Sequence, residues 1–578
     1  MDAVPLNFLE QTFVNPWIAQ HQGDTQGDRI VINDRVINAP WKHQGGRVFV
    51  SEEPLLHAIG LEFLSSNTPT RQPVQWFSHS APSIPELAAQ VGDDQIRYLD
   101  MSDFAQSHQW TVRSQRQTLS IQTPQADILS IRHGRQTWGD RLVIDLDRPT
   151  PFQAVAGSGT LSISLDALSP SNIELPPATR TNHLSSIRAQ TTGRQTTVSL
   201  GISARKRARV WTVSSPPRII VDIGSENVPE KQIHWLPGLW WRQTLVSVGT
   251  QNFPVIYLEL SPDENQGLSL KPIWANTSRM EGIAPLASTA KQWGAIAAIN
   301  GGFFNRNNHL PLGAIRQNGQ WYSGPILNRG AIAWNSLGDL HMGRLSLQDT
   351  LRLATGQTLP SLHLNSGYVQ AGLSRYTPQW GTHYTPLTDF ETSVTVINGR
   401  VAALQRIEVA GSQSVPIPPD GYLLAARSFQ TAVNLLQPGS EIYSRAIANP
   451  SSFDAYTNAL GAGPLLLNQG RIVLDAASEG FSDAFIRQRA PRSAIAQTRT
   501  GSILMVNVLT SPSGTGPTLR ETADILLQLN ATEALNLDGG NSSALYLGGH
   551  LLTPSPQNAA RVHNGLGIFI DINRVTNE

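Results

Sequence analysis

One pattern recurs through the C-terminal half of the chain. A short apolar run stops at a cluster of glycine and small polar residues, and a second apolar run follows. It appears in "AIAAINGGFFNRNNHLPLG" (295–313), "LGAGPLLLNQGRIV" (460–473), "RQRAPRSAIAQTRTGSILMVNV" (487–508) and "ALNLDGGNSSALYLGG" (534–549). Apolar runs this short, bounded by glycine, read as buried strands. Glycine at their ends permits close approach of the backbone to a ligand. Four such motifs in one block point to strand ends converging on one cleft. A single copy has a plainer reading: around Asp538-Gly539-Gly540, 534–537 is one strand of a hairpin and 544–547 its return partner.

At 578 residues the chain exceeds one hydrophobic core, and roughly three or four domains are expected. Lys plus Arg and Asp plus Glu both number 43. That balance gives no basic surface for nucleic acid or an anionic membrane. The absence of cysteine excludes disulfides, cysteine nucleophiles and thiolate metal sites. "MDAVPLNFLE" lacks the basic and apolar regions of a signal peptide, and no apolar run is long enough to span a bilayer.

Residues 1–95 form the first expected module. "GDRIVINDRVINAPWKHQGGRVFV" reads as three strands joined by Asn-Asp and Gly-Gly turns, and Ser51-Glu52-Glu53-Pro54 opens a short helix. This stretch resembles the small N-terminal domain of copper amine oxidases, without oxidase chemistry. Residues 96–230 form the second. "TLSIQT", "TLSISLDAL" and "TTVSLGI" alternate with period two. "DRLVIDLDRPTPFQ" (140–153) and "PRIIVDIGS" (217–225) share an Arg-apolar-Asp pattern, in which Asp145 and Asp222 are expected on outward faces beside arginines. The pair resembles the AMIN domain, a β-sandwich that targets envelope enzymes to the bacterial cell wall. "ARKRARV" (204–210) is the only basic cluster and reads as a solvated edge.

Residues 235–578 form the third. "AINGGFF", "GAGPLLLNQGR", "APRSAIAQTRTGSILMVNV", "TLRETADILLQLNATEALNLDGGNSSALYL" and "RVHNGLGIFI" occur in order. This series resembles the phosphodiester glycosidase family, known also from the mammalian lysosomal "uncovering" enzyme. Where that family usually has glycine, this chain has Asn541. The resemblance implies cleavage between a sugar's anomeric carbon and a phosphodiester oxygen. A phosphate leaves as a stable anion, so the paired carboxylates of ordinary glycosidases are less necessary. The site chiefly needs a base or nucleophile and cationic or N–H groups about the phosphate.

Asp538 is the candidate carboxylate, as base, nucleophile or ligand-orienting acceptor. Gly539 and Gly540 can offer backbone N–H groups, and Ser542 and Ser543 hydroxyls. Arg492 is the candidate phosphate ligand, since a guanidinium makes two parallel bonds; Arg489 reads as a surface residue. Asn300, grouped with Asp538 and Arg492 as catalytic, can hydrogen-bond a sugar or phosphate oxygen. Gly301, Gly302, Phe304 and Gly463 complete the expected substrate contacts. Thr518 and Glu521 form a capping box, which competes with a second-carboxylate role for Glu521. His309, His383 and His563 are read as structural or exposed.

The expected class is therefore α+β and multidomain: two small β-rich modules, then a large mixed α/β phosphodiester glycosidase domain. The expected activity is a hydrolase acting on a glycan or envelope polymer; the alternative is a non-catalytic glycan-binding protein of the same fold. No cofactor is expected, although calcium needs no recognisable ligand spacing. The implied partner is peptidoglycan or an attached glycan. The implied location is the cell envelope or periplasm, with the cytoplasm as alternative.

Overall fold

The structure is a computed structural model. It describes residues 24–571 apart from 78–83, 158, 171–172, 177–182, 204–207, 225–227, 265–266 and 553–560. The N-terminal decapeptide and part of the basic cluster at 204–210 lie outside the described residues. The chain is mostly β-strand, in several sheets and more than one domain, with few helices. It divides into two compact units. One holds Asp100–Pro124 and the described residues up to Val50; the other holds Ser51–Leu99 and the described residues from Gln125.

In the smaller unit, Thr25–Ile32, Arg35–Gln44 and Arg47–Ser51 form an antiparallel meander turned at Asn33-Asp34 and Gly45-Gly46. Thr118–Gln122 runs parallel to the first of these strands.

In the larger unit, the two Arg-apolar-Asp segments pair with each other. Gly139–Leu146 and Pro217–Ile223 are antiparallel neighbours, with Arg141 opposite Asp222 and Asp145 opposite Arg218. Antiparallel pairing of two copies of one pattern puts each arginine against the other copy's aspartate. The Nε–Oδ1 distances are 2.6 Å for Arg141–Asp222 and 2.9 Å for Arg218–Asp145. Asp145 also takes Arg132. Asp222 is buried rather than outward-facing, and Trp211 Nε1 also donates to it.

Two sheets of the C-terminal block hold the candidate site. The first is eight-stranded, in the order Lys231–Leu236, Leu239–Val248, Gln251–Leu260, Ile503–Val508, Arg492–Thr498, Ala531–Asn536, Leu465–Asn468, Arg471–Ile472. The second is five-stranded: Leu268–Trp274, Asn564–Ile570, Ala297–Asn300, Leu545–Leu547, His550–Leu551. Each sheet buries one face under a helix. Leu519–Gln528 starts at the Thr518/Glu521 capping box and packs Leu519, Ala523, Ile525 and Leu526 on the first sheet's core. Leu286–Trp293 ends at Gly294, whose φ of +71° suits a left-handed cap. It packs Leu286 and Ala290 against Ala298 and Tyr546 of the second. Ala297–Asn300 is buried at every position, as its unbroken apolar run requires.

The start of the short helix at Glu52–Pro54 is bound into this block. Glu52 is fully buried and accepts from Arg97 Nη1 at 2.7 Å and from Trp235 Nε1 at 3.0 and 3.1 Å. Burial raises its carboxyl pKa despite both partners. Replacing Arg97 with methionine leaves this carboxylate buried with only an indole N–H. Loss of one partner of a buried pair costs about 3–5 kcal/mol. Arg97→Met is expected to lower both the melting temperature and the urea midpoint, measured by tryptophan fluorescence.

Candidate active site

The segment around Asp538 is not a hairpin. The strand before it, Ala531–Asn536, pairs with Arg492–Thr498 and Leu465–Asn468 in the eight-stranded sheet. The strand after it, Leu545–Leu547, pairs with Ala297–Asn300 and His550–Leu551 in the other sheet. Asp538-Gly539-Gly540-Asn541-Ser542-Ser543 therefore crosses from one sheet to the next, with a single 3-10 turn at Gly540–Ser542. Gly540 holds φ of +65° at that turn, where a side chain would strain the backbone.

Several strand ends meet beneath this crossing. Asp538 N donates to Gly301 O at 2.9 Å, and Leu537 N to Ser493 O at 2.9 Å. Asn300 is fully buried. Its Nδ2 donates to Asp538 O at 2.6 Å; its Oδ1 accepts from Ser493 Oγ at 2.7 Å and Ala544 N at 3.0 Å. The amide is thus spent inside the protein. Asn300 positions the loop from within the protein.

Gly301 and Gly302 are close-packed. A Cβ on Gly301 would lie 2.2 Å from Asn564 Oδ1, and one on Gly302 would lie 2.2 Å from Gly461 O. Asn564 Oδ1 accepts from Gly302 N at 2.7 Å. Gly301 makes room for the Asn564 side chain, and Gly302 for the Gly461 backbone. Gly463, at φ of +99°, faces the buried carboxylate of Glu479, which also takes Gly330 N, Leu465 N and Arg344 Nε. At the expected anion cradle, Gly540 N donates to Pro491 O at 2.7 Å.

What remains for a ligand is a smaller set. Asp538 is partly exposed, and its pKa is raised to about 6. Burial is the main cause, opposed by a Ser542 hydrogen bond, the charge of Arg306, the Gly539 N–H and the charge of Arg492. Arg492 is almost wholly buried, with Nη2 donating to Gln488 O at 2.6 Å and Cζ 5.1 Å from the centre of the Phe485 ring. Burial brings its pKa down to about 10. Its Nε has no hydrogen-bond partner, and neither has the buried Ser543 hydroxyl. Arg306 is exposed on the turn between Phe304 and Pro311, which are joined by a β-bridge. Phe304 is half-buried there, while its neighbour Phe303 packs on Phe481 and Phe485.

Asp538 and Arg492 thus come together, with Asn300 beneath them. Glu521 is taken by its capping box and by Arg489, at 3.0 and 3.1 Å. His563 is buried, bonded to Met280 O at 2.8 Å, and held neutral by burial with a pKa of about 4. His383 is exposed and His309 half-buried. Among the described residues, no three His, Asp or Glu gather as a metal site would require. Arg306 and Asn564 were not singled out from sequence. "NGGFFNRNN" and "RVHNG" contain them, but only the fold brings them to Asp538 and Gly302.

The profile of the phosphodiester glycosidase family matches residues 391–569, which include Arg492, Asp538 and Asn564. A hypothetical protein from Synechocystis, known from a crystal structure, is 40% identical, with a TM-score of 0.87. The match covers 95% of this chain and 99% of that one. A putative exported protein from Burkholderia pseudomallei K96243 is 17% identical, with a TM-score of 0.46 over 80% of this chain and 99% of its own. The catalytic domain of zebrafish N-acetylglucosamine-1-phosphodiester alpha-N-acetylglucosaminidase, auto-inhibited by its pro-peptide, is 15% identical. Its TM-score is 0.33, over 58% of this chain and 85% of its own. No curated protein matches the chain.

Asn300→Ala removes one donor and one double acceptor and strands the groups they satisfied. Each buried unsatisfied group costs about 1–3 kcal/mol. The variant is expected to lose several kcal/mol of stability in urea titrations, in contrast to a change at a ligand-facing residue, which would leave stability intact.

Proposed function

We propose that this chain, which belongs to the phosphodiester glycosidase family through residues 391–569, is a hydrolase that separates a sugar from a phosphodiester at the anomeric carbon. The products are a free sugar and a phosphomonoester. The observation that carries this reading is the Asp538 carboxylate, at the crossing between two sheets, with its pKa near 6 and two arginine charges acting on it.

A base works best when its pKa lies just below the working pH, because it is then ionised yet still a strong acceptor. Asp538 meets that condition at neutral pH, as general base towards water or as nucleophile towards the anomeric carbon. The departing phosphate carries its own negative charge and needs cations more than a proton. Arg492, with an unpartnered Nε, and the exposed Arg306 supply them. Ser543 offers a free hydroxyl to a sugar or phosphate oxygen. The upstream strand-rich segments are read as the part that holds the enzyme to an envelope polymer, peptidoglycan or an attached glycan.

A panel of sugar-1-phosphodiesters, followed by phosphorus and proton NMR, tests the reaction; no released sugar and phosphomonoester from any member would refute it. Asp538→Asn is expected to cut turnover by about 10²-fold or more, the scale of general-base loss. In the wild type, kcat/KM should rise with pH through a midpoint near 6, as the carboxyl loses its proton. Stability runs the other way. The folded pKa lies above the unfolded value of about 3.9, so the folded state loses stability as pH rises from about 4 to about 6. Asp538→Asn should therefore melt no lower than wild type at pH 7, and its advantage should fade towards pH 4. For the anchoring role, the full-length chain should co-sediment with purified cell-wall sacculi above a neutral control protein of similar size.

A further inference from the structure

The larger unit contains a cavity of about 380 Å³ whose lining includes none of Asp538, Arg492, Ser543 and Arg306. It is bounded by the end of the helical segment at 52–59, the strands Phe152–Gly157 and Ala208–Ser214, residues 228–243 and the strand His550–Leu551. Its size falls at the lower end of the range for small-molecule sites, ~300–1,000 Å³. That admits one or two sugar-sized rings.

The lining carries polar groups with unmet needs. Trp241 is 7% exposed and its Nε1–H has no hydrogen-bond partner. His550 is 5% exposed, and neither ring nitrogen has a partner. Burial keeps its imidazole neutral, so it offers one N–H and one lone pair. Unsatisfied buried polar groups are uncommon, and two side chains of this kind on one cavity call for a partner. The charges are also unbalanced. Lys231 Nζ and Arg209 Nη2 both approach Glu62 Oε1, at 3.3 and 3.5 Å, so among the described residues two cations share one carboxylate. Lys231 is held below its ordinary pKa, by burial first and by the Arg209 charge with it, against the pull of Glu62. Trp211 uses its Nε1 on Asp222, and the Arg209 and Arg141 guanidinium groups lie over its ring, each 5.6 Å from the centre.

A matching ligand has hydroxyl-type groups that both donate and accept, and one negative charge. We infer that this cavity is a second binding site and that it takes an acidic saccharide, a sugar ring bearing one carboxylate or phosphate. The anion completes the Arg209–Lys231–Glu62 group, and ring hydroxyls meet Trp241 and His550. The inference is independent of the chemistry proposed at Asp538.

Calorimetric titration of the full-length chain with glucuronate, glucose 6-phosphate and glucose tests it. Both acidic sugars should bind saturably, and glucose at least about tenfold more weakly. Arg209→Gln should weaken both acidic sugars about tenfold. Ala154→Trp, at an exposed strand position on the cavity wall, should abolish binding while the melting temperature holds. In the wild type, glucuronate should slow hydrogen exchange in Ala208–Ser214 and His550–Leu551. The inference is overturned by no saturable binding of either acidic sugar or by equal affinity for glucose. Binding that survives Ala154→Trp, or protection confined to 538–543, also overturns it. Preference for glucuronate over glucose 6-phosphate, or the reverse, identifies the anion.

Discussion

The Asn300 side chain holds the two halves of the site together. It sits at the end of a strand of the five-stranded sheet, yet its Oδ1 accepts from Ser493 in the eight-stranded one. Its Nδ2 holds the Asp538 carbonyl at the start of the crossing, and its Oδ1 also takes Ala544 N at the far end. One buried amide therefore fixes both ends of a six-residue loop. An amide transferred from water without partners is costly, so such a residue is tolerable only when its bonds are met. The tight approach of Gly301 and Gly302 to Asn564 and Gly461 follows from the same convergence.

On this fixed base the site keeps two opposite charges that do not neutralise each other. Burial pushes Asp538 up and Arg492 down, each towards its uncharged form, although each charge also favours the other. Among the described residues no ion pair joins the two, and Arg492 Nε is left without a partner. A cluster built only for stability would close that gap, as Glu391 and Arg427 do elsewhere in the block, where all three guanidinium nitrogens donate. Unmet polar capacity beside a raised carboxylate is the pattern of a site that a substrate completes.

What the sequence disclosed depended on the range of the interaction. The capping box at Thr518 and Glu521, the helix stop at Gly294 and the buried strand Ala297–Asn300 are local, and each appears where its residues imply. The convergence of Asp538 with Arg492 was legible because several glycine-ended strands stood in one block. The ambiguity at Asp538-Gly539-Gly540 could not be resolved locally, because a hairpin and a crossing between sheets need the same flexible, polar residues. Only the pairing of the flanking strands with 492–498 and 297–299 separates them. Asn300 and the paired glycines look like ligand contacts in the sequence for a related reason. A residue suited to touching a ligand is equally suited to touching another backbone, and which of the two it meets is a tertiary fact. Arg306 carries no local mark at all.

The short strand Leu545–Leu547 extends the same logic away from the cleft. It is pinned at its start by the Asn300–Ala544 bond. Just past its end, Gly548 lies against Trp235 and Glu52, so closely that a Cβ there would sit 2.6 Å from the indole. Trp235 and Arg97 in turn hold the buried Glu52 carboxylate. A strand of three residues has little freedom between two such fixed points. The upstream segment around Glu52 thereby becomes part of what sets the position of the Asp538 loop. This gives a physical reason why Ser51–Leu99 groups with the C-terminal block rather than with the strands that precede it in the chain.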